Sequence, residues 1–146
     1  MRVIAMLCLL CGLATADSRK VTGYINGKPT TLRVVRIGWA EVEHATARAF
    51  LDMQEAAARD GIELEIWSGY RSHDRQAALY ARWRAGRGNR AARPGHSRHQ
   101  SGHALDLVIH DADTLAWLNR HARGFGFRRT VAGEPWHWEY ARRRRR

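Results

Sequence analysis

The stretch PGHSRHQSGHALDLVIH, from Pro94 to His110, joins a histidine-rich loop to a run of apolar residues. Residues 104–109 form a short apolar run of the length expected for a buried strand. Because successive side chains of a strand point to opposite faces, Asp106 lies away from the face that Leu105 and Leu107 share. The stretch therefore predicts a strand that buries one face and presents a carboxylate on the other.

A second candidate strand lies near the C-terminus, in the stretch EPWHWEY over residues 134–140. Its alternation places His137 and Glu139 on one face and Trp136 and Trp138 on the other. If the two strands pair, Asp106 and His137 can meet on the same face.

The rest of the chain supplies helices and turns around these strands. We predict a hairpin in residues 17–37 with an Asn26-Gly27 turn, followed by a helix over about 41–60 and a strand over 62–66. A second helix is predicted over 74–83, and a mobile loop over 86–95. A third helix should run from Asp111 or Asp113 to about 123, before two strands over 127–131 and 135–140. The helix over 74–83 is expected to place four side chains against the core: Ala77, Ala78, Leu79 and Trp83. The fold class is α+β, a small, mostly antiparallel sheet with packed helices in a single compact domain.

Four of the eight histidines fall between positions 96 and 110, which makes this region a candidate metal site. A catalytic zinc site needs about three nitrogen or oxygen ligands and one open position. Asp106 and His137 can supply two of the ligands. His99, on the glycine-flanked loop, can fold back to complete the trio. His103 is an alternative third ligand, although it is nearly adjacent to Asp106 and constrained by the same strand.

A candidate general base stands three residues before His137. Pro135 favours an extended backbone at Glu134, so the Glu134 carboxylate could reach a water molecule on the metal. Glu139 is a competing base, or a hydrogen-bonding partner for a ligand histidine.

Together these motifs resemble a known family. The pattern Ser97-x-His99-x-x-Gly102-x-Ala104-x-Asp106, followed by Glu134-x-x-His137, resembles the zinc D-alanyl-D-alanine carboxypeptidases of the VanY type, a family that also includes VanX-like dipeptidases and phage L-alanyl-D-glutamate endolysins. The motif Ser68-Gly-Tyr-Arg71-Ser, followed by Gln76, is similar to a third motif of that family. The resemblance extends over about residues 41–140.

The resemblance implies a role for each matching residue. One catalytic zinc ion would be held at the sheet edge by His99, Asp106 and His137. Glu134 would be the general base for the zinc-bound water, and Arg71 would stabilise the developing oxyanion or hold the substrate. The implied substrate contacts are Ser97, Tyr70 and Gln76.

Both ends of the chain differ from the middle. Met1-Arg2, the apolar residues 3–13 and the A-x-A pattern at 14–16 occur in the order of a signal peptide. The last five residues are all arginine. We expect a signal peptide over 1–16, an N-terminal hairpin segment over 17–40, a zinc peptidase domain over 41–141 and a basic tail over 142–146. Both cysteines, Cys8 and Cys11, lie in the predicted signal peptide, so no disulfide is expected in the mature chain.

The chain is strongly basic, with a formal net charge of +11. Such an excess suggests an anionic partner, such as nucleic acid, acidic lipid or wall polymer, or else a solvated surface with no specific partner. Given the resemblance, we expect a secreted metalloprotease of the periplasm, extracellular space or cell wall. It would hydrolyse the terminal D-Ala-D-Ala bond of peptidoglycan stem peptides. We expect a monomer with no nucleic-acid partner and no membrane span after signal cleavage, and anionic cell-wall polymer is a further candidate partner.

Three different functions are also compatible with the sequence. The chain could be an L,D-carboxypeptidase, or an endolysin-like endopeptidase that cuts within the stem peptide. It could also be a non-catalytic basic module that binds the wall. Glu134 argues against the binding module, because a structural metal site has no use for an acid beside an open position.

Overall fold

The computed structural model describes residues 18–141, so the predicted signal peptide and the arginine tail lie outside the described residues. In chain order the elements are β1 (Arg19–Ile25), β2 (Lys28–Ile37), β3 (Ala40–Glu43), α1 (His44–Arg59), β4 (Ile66–Ser68), α2 (His73–Arg84), β5 (Ala104–Leu107), α3 (Ala112–His121), a 3-10 helix (Ala122–Phe125), β6 (Phe127–Arg128) and β7 (His137–Tyr140). The predicted α+β class is confirmed, with the strands divided between two small antiparallel sheets. Within residues 18–141, no helix combines the length and the apolar character that crossing a bilayer requires.

The N-terminal sheet has the strand order β1-β2-β3. Asn26 and Gly27 both have positive φ, 51° and 79°, as a two-residue type I′ turn requires, and the predicted hairpin is confirmed. The predicted helix start at about residue 41 is too early, because residues 40–43 pair with β2. Glu43 then begins α1 by accepting hydrogen bonds from the backbone amides of Ala45 and Thr46.

The second sheet has the order β4-β5-β7-β6 and contains both strands that were predicted to carry the metal ligands. β5 and β7 pair antiparallel with Asp106 opposite His137, which meets the condition under which these two side chains were expected to share a face. The predicted strand over 62–66 lies too early in the chain, since β4 pairs with β5 only from Ile66 onward. The Leu64 carbonyl is occupied instead by the side-chain amide of Gln54, which donates to it at 2.7 Å.

A single hydrophobic core joins α1, α3 and both sheets. On α1 the buried positions recur every three or four residues, which gives the helix one apolar face. Phe50 and Met53 on that face are fully buried, as are Leu105 of β5 and Leu118 of α3. Burying a side chain of this size contributes about 1.5–3 kcal/mol, so this contact region holds the second sheet in place.

α2 does not pack on this core as predicted. Of its twelve residues only Gln76 is buried, whereas Ala78 is exposed and Ala77, Leu79 and Trp83 are half-buried. The reason is that α2 borders an open cavity, described below, and not the apolar interior.

Boundaries in the C-terminal part also differ from prediction. Asp111, and not Asp113, caps α3 by accepting a hydrogen bond from the Thr114 amide at 2.7 Å. β6 covers only residues 127–128. β7 begins at His137, because the His137 amide donates to the Glu134 carbonyl and closes a turn. Trp136 therefore lies in the turn, outside the predicted strand over 135–140, and is 37% exposed, whereas Trp138 is buried.

Candidate metal centre

Three side chains meet beside the two central strands of the second sheet, β5 and β7. Asp106 in β5 and His137 in β7 are register partners, and His99 reaches them from the loop that precedes β5. One ligand atom of each residue lies within 4.8 Å of the other two. His99 Nε2 and His137 Nδ1 lie 3.2 Å and 3.1 Å from the same oxygen, Asp106 Oδ1. Within residues 18–141 this is the one cluster of histidine, cysteine or acidic side chains arranged to hold a metal ion.

The orientation of His99 is fixed by a backbone carbonyl. His99 Nδ1 lies 2.8 Å from the Gly69 oxygen. Because a carbonyl can only accept, Nδ1 carries the proton, and Nε2, which faces Asp106, is the ring nitrogen that can bind a metal when the imidazole is neutral. The imidazole is also buried, with 4% of the side chain exposed. Gly69 thus selects the tautomer that a metal at Nε2 requires.

His137 is held on both ring nitrogens. Its Nδ1 faces Asp106, and its Nε2 lies 3.4 Å from Glu139 Oε1. The other oxygen of Glu139 pairs with Arg98 at 3.2 Å. A metal on Nδ1 would leave Nε2 as the donor to Glu139, which is the arrangement of a ligand histidine supported by a carboxylate. Of the two roles open to Glu139, this geometry favours the supporting one.

The Asp106 carboxylate and the His137 imidazole shift each other's pKa. Burial alone would raise the pKa of Asp106, but hydrogen bonds from His137 and His99 outweigh burial and hold this pKa well below its ordinary value. Burial would lower the pKa of His137, but hydrogen bonds and attraction from Asp106 and Glu139 raise it above its ordinary value. Asp106 is therefore ionised at neutral pH and available to a cation.

The alternative ligand His103 does not join the cluster. Its Nδ1 lies 3.1 Å from the Ser101 hydroxyl, and burial lowers its pKa. No other histidine of residues 18–141 takes part in the cluster. Two imidazole nitrogens and one carboxylate oxygen, open on one side, match the ligand number and type of a catalytic zinc site.

The motif Ser68 to Ser72 brings a cation to the cluster. Arg71 Nη2 lies 3.6 Å from Asp106 Oδ2, and Arg71 Nη1 donates to the Gln76 side-chain oxygen at 3.0 Å. The side-chain amide of Gln76 in turn donates to the Ala92 carbonyl at 2.8 Å. Arg71 Nε is buried without a hydrogen-bond partner within the described part of the chain. Gln76 thus fixes the guanidinium and still leaves one N–H available.

Tyr70 of the same motif faces the N-terminal hairpin. Its hydroxyl donates to the Thr22 carbonyl at 2.7 Å, and its amide donates to the Glu41 carbonyl at 2.6 Å. Tyr70 is not among the residues that line the cavity beside the cluster. In the structure, Tyr70 therefore connects the motif to the first sheet. The resemblance had implied that Tyr70 contacts the substrate.

The turn before β7 carries Glu134. The His137 amide donates to the Glu134 carbonyl at 3.2 Å, with Pro135 at the second position of the turn, where proline is favoured. Glu134 lines the same cavity as the three clustered residues. Its carboxylate accepts no hydrogen bond from a residue in the range 18–141. Among the predicted site residues, Glu134 is therefore the acid whose carboxylate has no hydrogen-bond donor within residues 18–141.

The cluster opens on a cavity of about 890 Å³. One side is formed by α2 and the loop that follows it, and the other by residues 130–139. Of the predicted site residues, seven line this cavity: Arg71, Gln76, Ser97, His99, Asp106, Glu134 and His137. Ser97 Oγ also accepts a hydrogen bond from the His99 amide at 3.3 Å, so it supports the loop as well. The supporting roles of the Gly69 carbonyl and of Arg98 were not predicted, because neither carries a sequence signal.

An α+β domain with a candidate ligand trio, a free acid and a cation at one cavity has the features of a metal-dependent hydrolase. Residues 40–143 match the family model VanY, D-alanyl-D-alanine carboxypeptidase. The chain belongs to this family, and the resemblance stated from its motifs is confirmed.

Individual relatives agree with this family. The chain is 30% identical over 118 residues to the D-alanyl-D-alanine carboxypeptidase of Enterococcus faecalis (strain ATCC 700802 / V583), covering 61% of this chain and 44% of that protein. It spans less than half the length of the curated relatives it matches, 46% of one and 44% of the other.

Solved structures share the fold. The structure of VanYB in complex with D-alanine-D-alanine is similar with a TM-score of 0.63 and 26% identity, covering 75% of this chain and 77% of that one. A VanY mutant from a VanB-type resistance cassette, in complex with Zn(II), has a TM-score of 0.62 at 24% identity, covering 75% and 78%. The LdcB LD-carboxypeptidase has a TM-score of 0.59 at 31% identity, covering 68% and 59%.

Proposed function

We propose that this chain is an exported zinc D,D-carboxypeptidase that removes the terminal D-alanine from peptidoglycan stem peptides. The observation that carries the proposal is the convergence of His99, Asp106 and His137 at a cavity that also holds Glu134 and Arg71. Family membership supports peptide hydrolysis, and the activity named for the Enterococcus relative supports the D-Ala-D-Ala bond. Export rests on the signal-peptide pattern of residues 1–16 alone.

His99, Asp106 and His137 would hold the metal, through Nε2 and Nδ1 of the two histidines. A zinc ion bound there would supply Lewis-acid polarisation of the scissile carbonyl and would lower the pKa of a coordinated water to about 7. The zinc complex of a VanY structure of the same fold supports zinc as the metal.

Glu134 and Arg71 would carry out the chemistry that the protein itself supplies. Glu134 accepts a proton from the attacking water and returns it to the leaving amine, for which its free carboxylate is suited. Arg71 donates to the oxyanion that develops on the carbonyl. Its Nε has no hydrogen-bond partner among residues 18–141, and the hydrogen bond to Gln76 keeps the guanidinium preorganised. Ser97 is the remaining candidate for a direct substrate contact, because its side chain lines the cavity.

Matched glutamate variants test the assignment of the base. Glu134→Gln should lower kcat by about 10²–10⁴-fold, the range for loss of a general acid–base group, with zinc content unchanged. Glu139→Gln should instead weaken zinc binding by about 10–100-fold and leave kcat of the zinc-saturated protein within a few fold. Glu63→Gln, on an exposed residue outside the cavity, is the control. Full activity in Glu134→Gln, or a kcat loss confined to Glu139→Gln, would contradict the assignment.

The second candidate function is L,D-carboxypeptidase activity on the tetrapeptide. The likeness to LdcB, an LD-carboxypeptidase of 31% identity, favours it over an endopeptidase or a non-catalytic wall-binding module. Both carboxypeptidase activities use the same metal centre, so the two differ only in which stem peptide is cut. Purified zinc-loaded protein given pentapeptide and tetrapeptide in equal amounts separates them, because a D,D-enzyme consumes only the pentapeptide.

A further inference from the structure

One wall of the cavity carries arginines that the proposed chemistry does not use. Arg75, Leu79 and Arg82 line the cavity from α2, and Arg90 lines it from the following loop. Positions 75, 79 and 82 recur at the four- and three-residue steps that place side chains on one helix face. None of the three arginines pairs with an acidic side chain of residues 18–141. The two other cavity arginines, Arg71 and Arg98, already face Asp106 and Glu139.

The position of Arg75 is not explained by the stability of the fold. Arg75 lies in the first turn of α2, three residues after the cap Ser72, where the helix dipole disfavours a cation. Arg75 also repels a neighbour, because its positive charge acts on the guanidinium of Arg71, which is already paired with Asp106. α2 buries only Gln76, so Arg75 and Arg82 do not support packing against the core. Such a concentration of like charge becomes favourable when an anion enters the cavity.

The length of the arginine wall indicates which part of a substrate it faces. Arg75 and Arg82 are seven residues apart, about 10 Å along the helix axis at 1.5 Å per residue. An extended peptide covers that length with about three residues at 3.3–3.6 Å each. A carboxypeptidase has a single residue on the leaving side of the scissile bond. Arg75 follows Arg71 by four residues in the chain, and only the amino side of a substrate cut at the cluster is long enough to extend from there to Arg82.

We propose that Arg75, Arg82 and Arg90 form a subsite for carboxylates of the stem peptide on the amino side of the scissile bond. This inference rests on the proposed function, because it takes the substrate to be a stem peptide cut near its C-terminus. Arginine is suited to this task, since its planar guanidinium binds a carboxylate with two parallel hydrogen bonds.

Two synthetic pentapeptides that both end in D-Ala-D-Ala test the subsite. One is L-Ala-γ-D-Glu-meso-diaminopimelate-D-Ala-D-Ala, with two free carboxylates upstream of the scissile bond, and the other is the same peptide with both converted to carboxamides. With the zinc-loaded full chain, kcat/KM for the dicarboxylate should exceed that for the diamide by about tenfold at low salt. The ratio should approach one at high salt, where exposed charges are screened.

Two triple variants distinguish binding at these three arginines from a general attraction of the acidic peptide to a basic protein. In the triple variant R75Q/R82Q/R90Q the ratio should fall to about one. The control variant R36Q/R48Q/R123Q removes the same charge from exposed arginines outside the cavity and should keep the full ratio. Equal ratios in the two variants, or equal kcat/KM for the two peptides in the unmodified chain, would overturn the subsite.

A binding measurement keeps this outcome distinct from failure of the proposed function. Calorimetry with the two tetrapeptide products and the metal-free chain should show tighter binding of the dicarboxylate, and the triple variant should abolish the difference. If neither pentapeptide is cleaved but this difference is present, the proposed function fails and the subsite stands. If both pentapeptides are cleaved equally and bind equally, the function stands and the subsite is wrong.

Discussion

Replacing Gly69 with alanine should weaken the metal centre without touching a ligand. A Cβ at this position would collide with the backbone oxygen of Glu41 and press on a methyl group of Val42. Because the Glu41 oxygen is a backbone atom and cannot rotate away as a side chain could, residues 69–70 have to move. That movement disturbs two hydrogen bonds, from the Tyr70 amide to the Glu41 carbonyl and from His99 Nδ1 to the Gly69 carbonyl.

The size of both effects follows from these contacts. Overpacking at a close contact costs about 1–3 kcal/mol of folding free energy, which for a domain of this size corresponds to a fall in Tm of roughly 3–15 °C. Loss of the acceptor that orients a ligand histidine weakens metal binding by about 10–100-fold. We therefore expect Gly69→Ala to bind zinc more weakly even at temperatures where it is fully folded.

Gly124→Ala is the matched control. No atom of residues 18–141 lies within 4 Å of a Cβ built at Gly124, and its φ is outside the left-handed region, so the change should be neutral or stabilising by about 0.4–1 kcal/mol. Thermal unfolding gives the stability of each variant, and competition with a chromophoric chelator gives its zinc affinity. If Gly69→Ala binds zinc as tightly as the unmodified chain while it unfolds at a lower temperature, then the Gly69 carbonyl does not orient the ligand.

Two further predictions concern pH and the C-terminal tail. Without metal, the raised pKa of His137 stabilises the fold below the ordinary histidine pKa of about 6.5, and this contribution is lost as the pH rises through the raised value. Because zinc needs the neutral imidazole, the rise in Tm on adding zinc should be larger at about pH 8 than at about pH 6, and equal shifts would refute this. Deleting residues 142–146 should weaken binding to anionic cell walls at low salt and leave hydrolysis of a small soluble peptide unchanged. Lost activity on the small peptide would show instead that the tail serves the active site.

Local periodicity predicted which strand faces carry Asp106 and His137, and the family resemblance supplied the third ligand, His99. The alternation in residues 104–109 and 134–140 places Asp106 and His137 on the faces that meet once the strands pair, and the pairing has that register. An alternation with a period of two specifies strand register strongly, because a shift of one residue would place the Asp106 carboxylate in the hydrophobic core. The Asn26-Gly27 hairpin was predictable for a similar reason, because few dipeptides tolerate positive φ at both positions.

The errors arise where tertiary contacts override local pattern. The apolar residues of α2 predicted a core helix, but the helix borders a cavity, and no local signal distinguishes these environments. The strand over 62–66 lost its first residues because a side chain of α1 occupies the Leu64 carbonyl. The role of Tyr70 depends on the distant Thr22 carbonyl, and that of Gly69 on the approach of Glu41. Contacts between residues so far apart in sequence are decided by the fold as a whole.

The most direct test of the central claim is mass spectrometry of a muramyl-pentapeptide ending in D-Ala-D-Ala, incubated with the protein in the presence and absence of a chelator. We expect loss of a single terminal alanine, which the chelator abolishes and zinc restores. An internal cut would retain the metal centre but contradict the carboxypeptidase assignment. Absence of any cleavage by the zinc-loaded protein would contradict the proposed function as a whole.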